Sequence, residues 1–200
     1  MRKTWLLAAL LTIAAAGAAP AAEIGDDGLH KQDWFQLTFK DVAEDIESAK
    51  AEGKRLAILF EQRGCIYCIR MHEEVFSDPD VAAYIEANFH IVQYNLYGDE
   101  AVTDLDGETL SEKTAVRRWG VVFTPTILFL PEDAPDGGTV AEAAVATMPG
   151  AFGKEIVLHM FEWVKAKRYE TGEHFQAYHA RRLAEAKASA EAKASGEGAR

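Results

Sequence analysis

Hydrophobic positions along the chain recur at two spacings, one typical of helices and one typical of strands. Residues 41–53 carry apolar side chains three to four positions apart among acids, which predicts an amphipathic helix that ends at Gly53. Residues 56–60 follow at once and are continuously apolar, which predicts a buried strand. The only two cysteines of the chain come directly after this strand.

The same patterns predict the remaining elements of the domain. They are helices at 65–76 and 79–88, a strand at 89–96, an inserted acidic loop at 98–107, a helix at 110–119, strands at 121–130 and 139–147, and a helix at 154–169. The predicted order is therefore α-β-α-α-β-α-β-β-α. The strand at 139–147 is expected at a sheet edge and is weakened by its alanines.

Both ends of the chain differ from this pattern. Residues 1–22 combine basic residues, a short apolar run and small residues, which predicts a cleaved signal peptide and export from the cytosol. Residues 23–40 predict an irregular N-terminal arm, and residues 41–170 the folded domain. Residues 171–200 predict a C-terminal extension whose Ala/Glu/Lys-rich end is a solvated or frayed tail.

The charge of the chain excludes one class of partner. Its 21 basic and 32 acidic residues give a formal net charge of −11, and loss of residues 1–22 with Arg2 and Lys3 lowers it to −13. Such a charge repels phosphate backbones and anionic lipid, so nucleic acid is not an expected partner.

Cys65 and Cys68 form a Cys-x-x-Cys pair where a strand turns into a helix. The unpaired N–H groups of a helix N-terminus favour a thiolate there, so a redox-active dithiol is the leading hypothesis. The alternative is a structural disulfide, but a bridge that closes so short a loop stabilises little. A second alternative is a metal-binding carrier with His72 as third ligand, although a closed zinc site needs four.

Pro125 interrupts an otherwise regular strand pattern, and a proline inside a sheet needs a reason. A strand bulge is one explanation. The other is a substrate-docking loop, in which the backbone of Thr124 pairs with an extended substrate next to Cys65.

These motifs resemble those of known oxidoreductases. The Cys-x-x-Cys pair after a strand and the later run from Trp119 to Thr126 resemble thioredoxin-fold proteins. Further runs look like the periplasmic SoxW-type thioredoxins of bacterial sulfur-oxidation systems: 64–68, 95–98, 103–108, 124–126 and 175–178. The likeness spans most of residues 40–180.

The resemblance implies an α/β thioredoxin fold, with a central mixed sheet flanked by helices, and a periplasmic protein-disulfide reductase. It also implies that Pro125 is cis and faces the cysteines. Electrons would come from a membrane thiol transporter of the CcdA or SoxV kind, and the protein is expected to be a monomer. No metal and no cofactor beyond the redox-active disulfide are expected.

Each site residue has an expected role. Cys65, at the helix start, is the expected nucleophile, and Cys68, one turn further in, is the resolving thiol. Substrate is expected to contact four residues, Thr124, Pro125, Ile66 and Tyr67. Trp119 and Phe123 could extend an apolar rim with Tyr67, or belong to the core.

The chain departs from the usual thioredoxin pattern in ways that matter for chemistry. Ile66 and Tyr67 replace Gly-Pro, Gly64 replaces a tryptophan, and Leu59 stands where thioredoxins usually bury an aspartate. Glu61 is then the candidate proton acceptor, although a glutamate at a strand end is more often a solvated or paired surface group.

The direction of electron flow is the open question within redox chemistry. Oxidants, isomerases and reductants share this scaffold and differ in how strongly the reduced thiolate is stabilised. The Ile66-Tyr67 pair carries no charge that would stabilise the reduced thiolate, and the chain has no room for an isomerase's dimerisation domain. Both observations favour a reductant, and an oxidase or isomerase is the alternative.

Overall fold

The structure of the protein is a computed structural model that describes residues 23–197. The predicted signal peptide at 1–22 and the last three residues of the predicted tail lie outside the described residues. Within 23–197, no helix is long and apolar enough to span a membrane.

Eight strands and seven α-helices follow one another along the described chain. The strands are β1 (Glu23–Ile24), β2 (His30–Lys31), β3 (Arg55–Glu61), β4 (Phe89–Asn95), β5 (Ala101–Thr103), β6 (Thr109–Ser111), β7 (Thr126–Phe129) and β8 (Ala146–Pro149). The helices are α1 (Val42–Ala51), α2 (Ile66–Arg70), α3 (Pro79–Asn88), α4 (Glu112–Arg118), α5 (Val140–Ala143), α6 (Lys154–Lys165) and α7 (Phe175–Glu197). A π-helical turn, Met71–Phe76, continues α2, and a 3-10 turn, Arg168–Glu170, follows α6.

A four-stranded mixed sheet forms the centre of the fold, in the order β4-β3-β7-β8. β3 pairs with β4 in parallel and with β7 in antiparallel orientation, and β8 adds an antiparallel edge. All seven residues of β3 are buried, as its continuous apolar pattern predicts for a central strand. The predicted fold class, a mixed sheet flanked by helices, is confirmed.

Two apolar clusters cover the two faces of this sheet. Ala57 and Leu59 of β3 pack on one face with the π-helical turn, α3 and α6. Leu56, Ile58 and Phe60 pack on the other face with α1 and α4. Because successive residues of a strand point to opposite faces, this one strand contributes to both cores.

Several predicted elements were wrong in detail. Residues 98–107 are not only a loop, since β5 forms a hairpin with β6. Much of the predicted strand at 139–147 is the short helix α5, because the Thr139 hydroxyl and the Glu142 side chain form a capping box at its start. The strand predicted at 121–130 begins only at Thr126, after the proline.

The two extensions differ in how they meet the domain. In the arm, β1 and β2 form a small hairpin, Leu29 is buried, and Gln36 bridges to Val92 at the edge of β4. The start of α7 docks on α6, where the Tyr178 hydroxyl donates to the Glu162 carboxylate at 3.2 Å. From residue 184 to 195, α7 is exposed.

Asp45 of α1 makes the stability of this fold depend on pH. Its carboxyl is buried and accepts a hydrogen bond from the Thr38 hydroxyl at 3.1 Å. Burial raises the pKa of Asp45 to about 6, and the nearby Asp41 and Glu44 carboxylates act in the same direction. The folded state thus holds this proton more tightly than the unfolded state, so stability falls as the pH rises from about 4 to about 6.

We therefore predict that Asp45→Asn stabilises the protein at pH 7.5 and not at pH 4. The expected gain at pH 7.5 is about 1 kcal/mol, less than the full pKa shift implies because the asparagine amide must also be buried. Urea unfolding at the two pH values measures it, with the exposed Glu47→Gln on the same helix as control. A gain of equal size at both pH values would contradict the prediction.

Candidate dithiol active site

The two cysteines lie where β3 passes into α2. The chain leaves the strand after Glu61 and turns through Gly64, whose φ of +71° lies in the left-handed region that favours glycine. Cys65 is the N-cap of α2, and Cys68 lies in the helix's first turn. The two cysteines form a disulfide bond.

Donor groups converge on the sulfur of Cys65. The backbone N–H of Cys68 donates to it at 3.1 Å and the Thr124 hydroxyl at 3.3 Å. The Thr124 carbonyl oxygen lies 3.6 Å from the same sulfur. In the reduced protein, the two donors would stabilise a thiolate at Cys65.

The two sulfurs differ in access. Cys65 is 7% exposed and Cys68 is 1% exposed, and the side chains of Ile66 and Tyr67 between them point outward. Cys65 is therefore the more accessible of the two buried cysteines, and Cys68 is the more deeply enclosed.

The Thr124–Pro125 peptide bond is cis, and Pro125 is buried immediately before β7. Its carbonyl oxygen accepts a hydrogen bond from the Gly150 N–H at 2.7 Å. This contact ties the loop that carries Thr124 to the end of β8. The structure thereby brings Thr124 and Pro125 to Cys65 from a distant part of the chain.

An apolar rim surrounds this pair of cysteines. Ile66, Tyr67 and Phe123 are each more than half exposed. A surface groove of about 360 Å³ lies beside them, lined by Tyr67, Phe123, Thr124, Pro149, Gly150 and Ala151. Trp119, which could have joined the rim, instead lies in the core, where its indole N–H donates to Asp104 at 2.8 Å.

Glu61, the candidate proton acceptor, is buried rather than at the surface. Its side chain is 1% exposed. The Nε2 atom of His72 lies 3.1 Å from both of its carboxylate oxygens, and the Gln93 side-chain amide donates to one of them. The carboxylate is thus buried and in hydrogen-bonding contact with two side chains.

Sequence reasoning missed the role of these partners. His72, the third ligand of the metal alternative, is buried against Glu61. Gln93 and Gln32, which contacts the other nitrogen of His72 at 3.0 Å, carried no signal in the sequence. The one available signal was the spacing of four between Cys68 and His72 on one helix face.

The metal alternative has little geometric support. Among residues 23–197, no group of three or more His, Cys, Asp or Glu side chains is arranged to hold a metal ion.

A dithiol at a helix N-terminus, facing a cis-proline loop on a mixed sheet, defines the class of thiol–disulfide oxidoreductases. The family model of the thioredoxin-like domain matches residues 42–164, and the chain belongs to this family. No curated protein matches the chain at a significant level.

Solved structures agree with the fold. A thioredoxin from Thermus thermophilus is 26% identical, with a TM-score of 0.51, over 66% of this chain and 90% of that chain. A thioredoxin-fold protein from Helicobacter pylori is 18% identical, with a TM-score of 0.51, over 66% of this chain and 85% of that chain.

We predict that Thr124→Val slows the reaction of reduced Cys65 at neutral pH. The variant keeps the side-chain shape but loses the hydroxyl that donates to the sulfur, and a hydrogen bond to a charged group is worth about 1.5–3 kcal/mol. We expect the alkylation rate of Cys65, measured in Cys68→Ser protein, to fall about tenfold. Thr147→Val on β8, an exposed threonine, is the control, and equal rates for the two variants would exclude a role for the Thr124 hydroxyl.

Proposed function

We propose that the protein reduces disulfide bonds of periplasmic proteins through its Cys65–Cys68 dithiol. The observation that carries this proposal is the pair of donors, the Cys68 N–H and the Thr124 hydroxyl, aimed at the Cys65 sulfur. They stabilise a nucleophilic thiolate at the surface of the site. The likeness to a Thermus thermophilus thioredoxin supports the same reaction class.

The reaction consists of two thiol–disulfide exchanges. The Cys65 thiolate attacks one sulfur of the substrate disulfide, which breaks as the mixed disulfide forms and one substrate thiolate leaves. Cys68, after losing its proton to Glu61 or its partners, attacks the Cys65 sulfur. The mixed disulfide breaks, the second substrate thiolate leaves, and two electrons have passed from the dithiol to the substrate.

The groove beside Cys65 is the proposed docking site of the substrate. Its walls include Tyr67 and Phe123, and Thr124 places a carbonyl oxygen beside the reacting sulfur. An extended peptide that lies along residues 124 and 125 would bring its disulfide to Cys65. Ile66, on the exposed first turn of α2, completes the proposed contact surface.

Location and electron supply form the rest of the proposal. The signal-peptide pattern of residues 1–22 supports export to the periplasm. There, a membrane thiol transporter of the CcdA or SoxV kind would re-reduce the Cys65–Cys68 disulfide. The resemblance of residues 64–68 and 95–98 to SoxW-type thioredoxins supports a place in sulfur oxidation.

The two cysteine variants test the proposed roles. We predict that Cys65→Ser abolishes disulfide reduction, because the proposed nucleophile, the more accessible of the two thiols, is lost. Cys68→Ser retains the first exchange and therefore accumulates mixed disulfides on Cys65. Insulin reduction and mass spectrometry of trapped adducts measure the two outcomes, and adducts that form on Cys65→Ser instead would reverse the assignment.

The reduction potential of the Cys65–Cys68 pair tests the direction of electron flow. We predict a value near about −270 mV, typical of thioredoxins, because no charged residue stands between the cysteines to stabilise the reduced form further. Equilibration of residues 23–200 in graded thiol buffers, with alkylation of free thiols, gives the potential. A value between about −120 and −180 mV would mark an oxidant or isomerase and contradict the reductive direction.

A further inference from the structure

Two histidines meet where the start of α7 docks on α6. His159 of α6 is 7% exposed, and His179 of α7 is half-buried. Their Nδ1 atoms lie 2.7 Å apart, and their ring centroids lie 4.9 Å apart. The proposed disulfide exchange uses neither side chain, so this contact needs an explanation of its own.

The short distance between the two nitrogens limits how many protons the pair can hold. A neutral imidazole has one N–H donor and one acceptor nitrogen, so one ring can donate to the other. An imidazolium can also donate to a neutral imidazole, which accommodates one added proton. Two imidazolium rings would each direct an N–H at the other, with two positive charges at hydrogen-bond distance. The contact therefore accepts one added proton and excludes a second.

The docking of α7 depends on the contacts of its first two turns. The ring of Phe175 stacks on that of His179, with centroids 5.8 Å apart, and meets the ring of Trp163 edge-on at 6.2 Å. Tyr178 is 5% exposed and belongs to the apolar cluster that includes α6. Residues 184–195 are exposed and add nothing to the docking. The histidine pair thus lies within the short segment that holds the helix in place.

The charged groups around the pair come from the same two helices. The Glu162 carboxylate of α6 accepts a hydrogen bond from the Arg182 guanidinium of α7 at 3.0 Å. Glu162 and Glu155 favour a proton on His159, whereas Arg182 opposes it. On α3, which also packs on α6, burial raises the pKa of Tyr84 to about 12, so its phenol stays neutral. The surrounding charges are therefore of both signs and partly compensate one another.

We propose that the His159–His179 contact is a pH-sensitive latch, which holds α7 on α6 when the pair carries one added proton or none and releases it when both rings are protonated. After release, each ring can hold its own proton in water, where the two charges are apart and hydrated. Release also uncovers the side of α6 that carries Trp163. The latch concerns the C-terminal extension and is independent of the proposed disulfide reduction.

The direction of the pH effect follows from the protons bound in each state. Burial lowers the pKa of His159, and the adjacent His179 acts in the same direction. The docked state thus binds fewer protons than the released state, so docking is strongest above about pH 6.5 and weakens as the pH falls below it. With one proton bound at ordinary affinity and the second refused, the released fraction rises about sixfold from pH 7.5 to pH 5.5.

Hydrogen exchange in the unaltered protein measures this release. Mass spectrometry gives the protection of the amides in residues 175–183 at pH 7.5 and pH 5.5, each relative to the intrinsic exchange rate at that pH. We expect protection to fall about sixfold or more at pH 5.5. The amides of β3 report the whole domain and should show no such loss. Unchanged protection at 175–183, or an equal loss in β3, would overturn the latch.

The variant His179→Gln tests the pair itself. A glutamine amide offers His159 a hydrogen-bond partner in either protonation state but cannot become a second cation. We therefore expect the pH-dependent loss of protection at 175–183 to be halved at least. The matched control is His174→Gln, because His174 is an exposed histidine just before α7, and the full loss should remain. Equal losses in the two variants would show that the pair does not control the docking.

The imidazole signals of the unaltered protein decide the question if His179→Gln fails to dock α7 at pH 7.5. Nitrogen-15 chemical shifts report the protonation of each ring directly. We expect His159 and His179 to titrate as one coupled pair that shares a single added proton while the helix is docked. Two independent titrations near pH 6.5, with protection at 175–183 unchanged, would overturn the latch.

Discussion

The position of β3 between β4 and β7 is the constraint on which the site depends. Phe60 stands opposite Thr126 of β7, and Glu61 stands opposite Asn95 of β4. A shift of one residue would move every side chain of β3 to the wrong face, and both faces are packed. This register brings the loop before β7 to the start of the cysteine helix, so Thr124 meets Cys65.

Much of this arrangement was predictable because it rests on local patterns. The apolar run of β3 and the cysteines behind it are adjacent in the sequence, and Pro125, much further along the chain, interrupts a strand pattern of its own. The boundaries at α1 and β4 differ from prediction by a residue or two. Elements without a strong apolar period were harder to predict from the sequence. The three-residue strands β5 and β6 bury few side chains, and α5 depends on a single capping box.

The surroundings of Glu61 were not predictable for a different reason. A glutamate at a strand end has the same local pattern whether it faces water or the interior. What buries Glu61 is His72, 11 residues away, and Gln93, 32 residues away, with the N-terminal arm beyond them. Such contacts exist only once the sheet and the helix have assembled. The sequence spacing puts Cys68 and His72 on one helix face, but it does not predict that His72 and Gln93 contact Glu61. The arm itself was predicted as irregular, and its β1–β2 hairpin and the Gln36–Val92 bridge to β4 were not predicted.

The groups that contact the Cys65 sulfur bear on the direction of electron flow. The Cys65 sulfur meets neutral donors, an N–H at the helix start and a hydroxyl, while Ile66 and Tyr67 add no charge. The buried Glu61 and His72 side chains contact each other. Neutral donors stabilise a thiolate less than a positive charge does, and a less stabilised reduced form makes a stronger reductant. The neutral donors at Cys65 therefore support the reductive direction of the proposal.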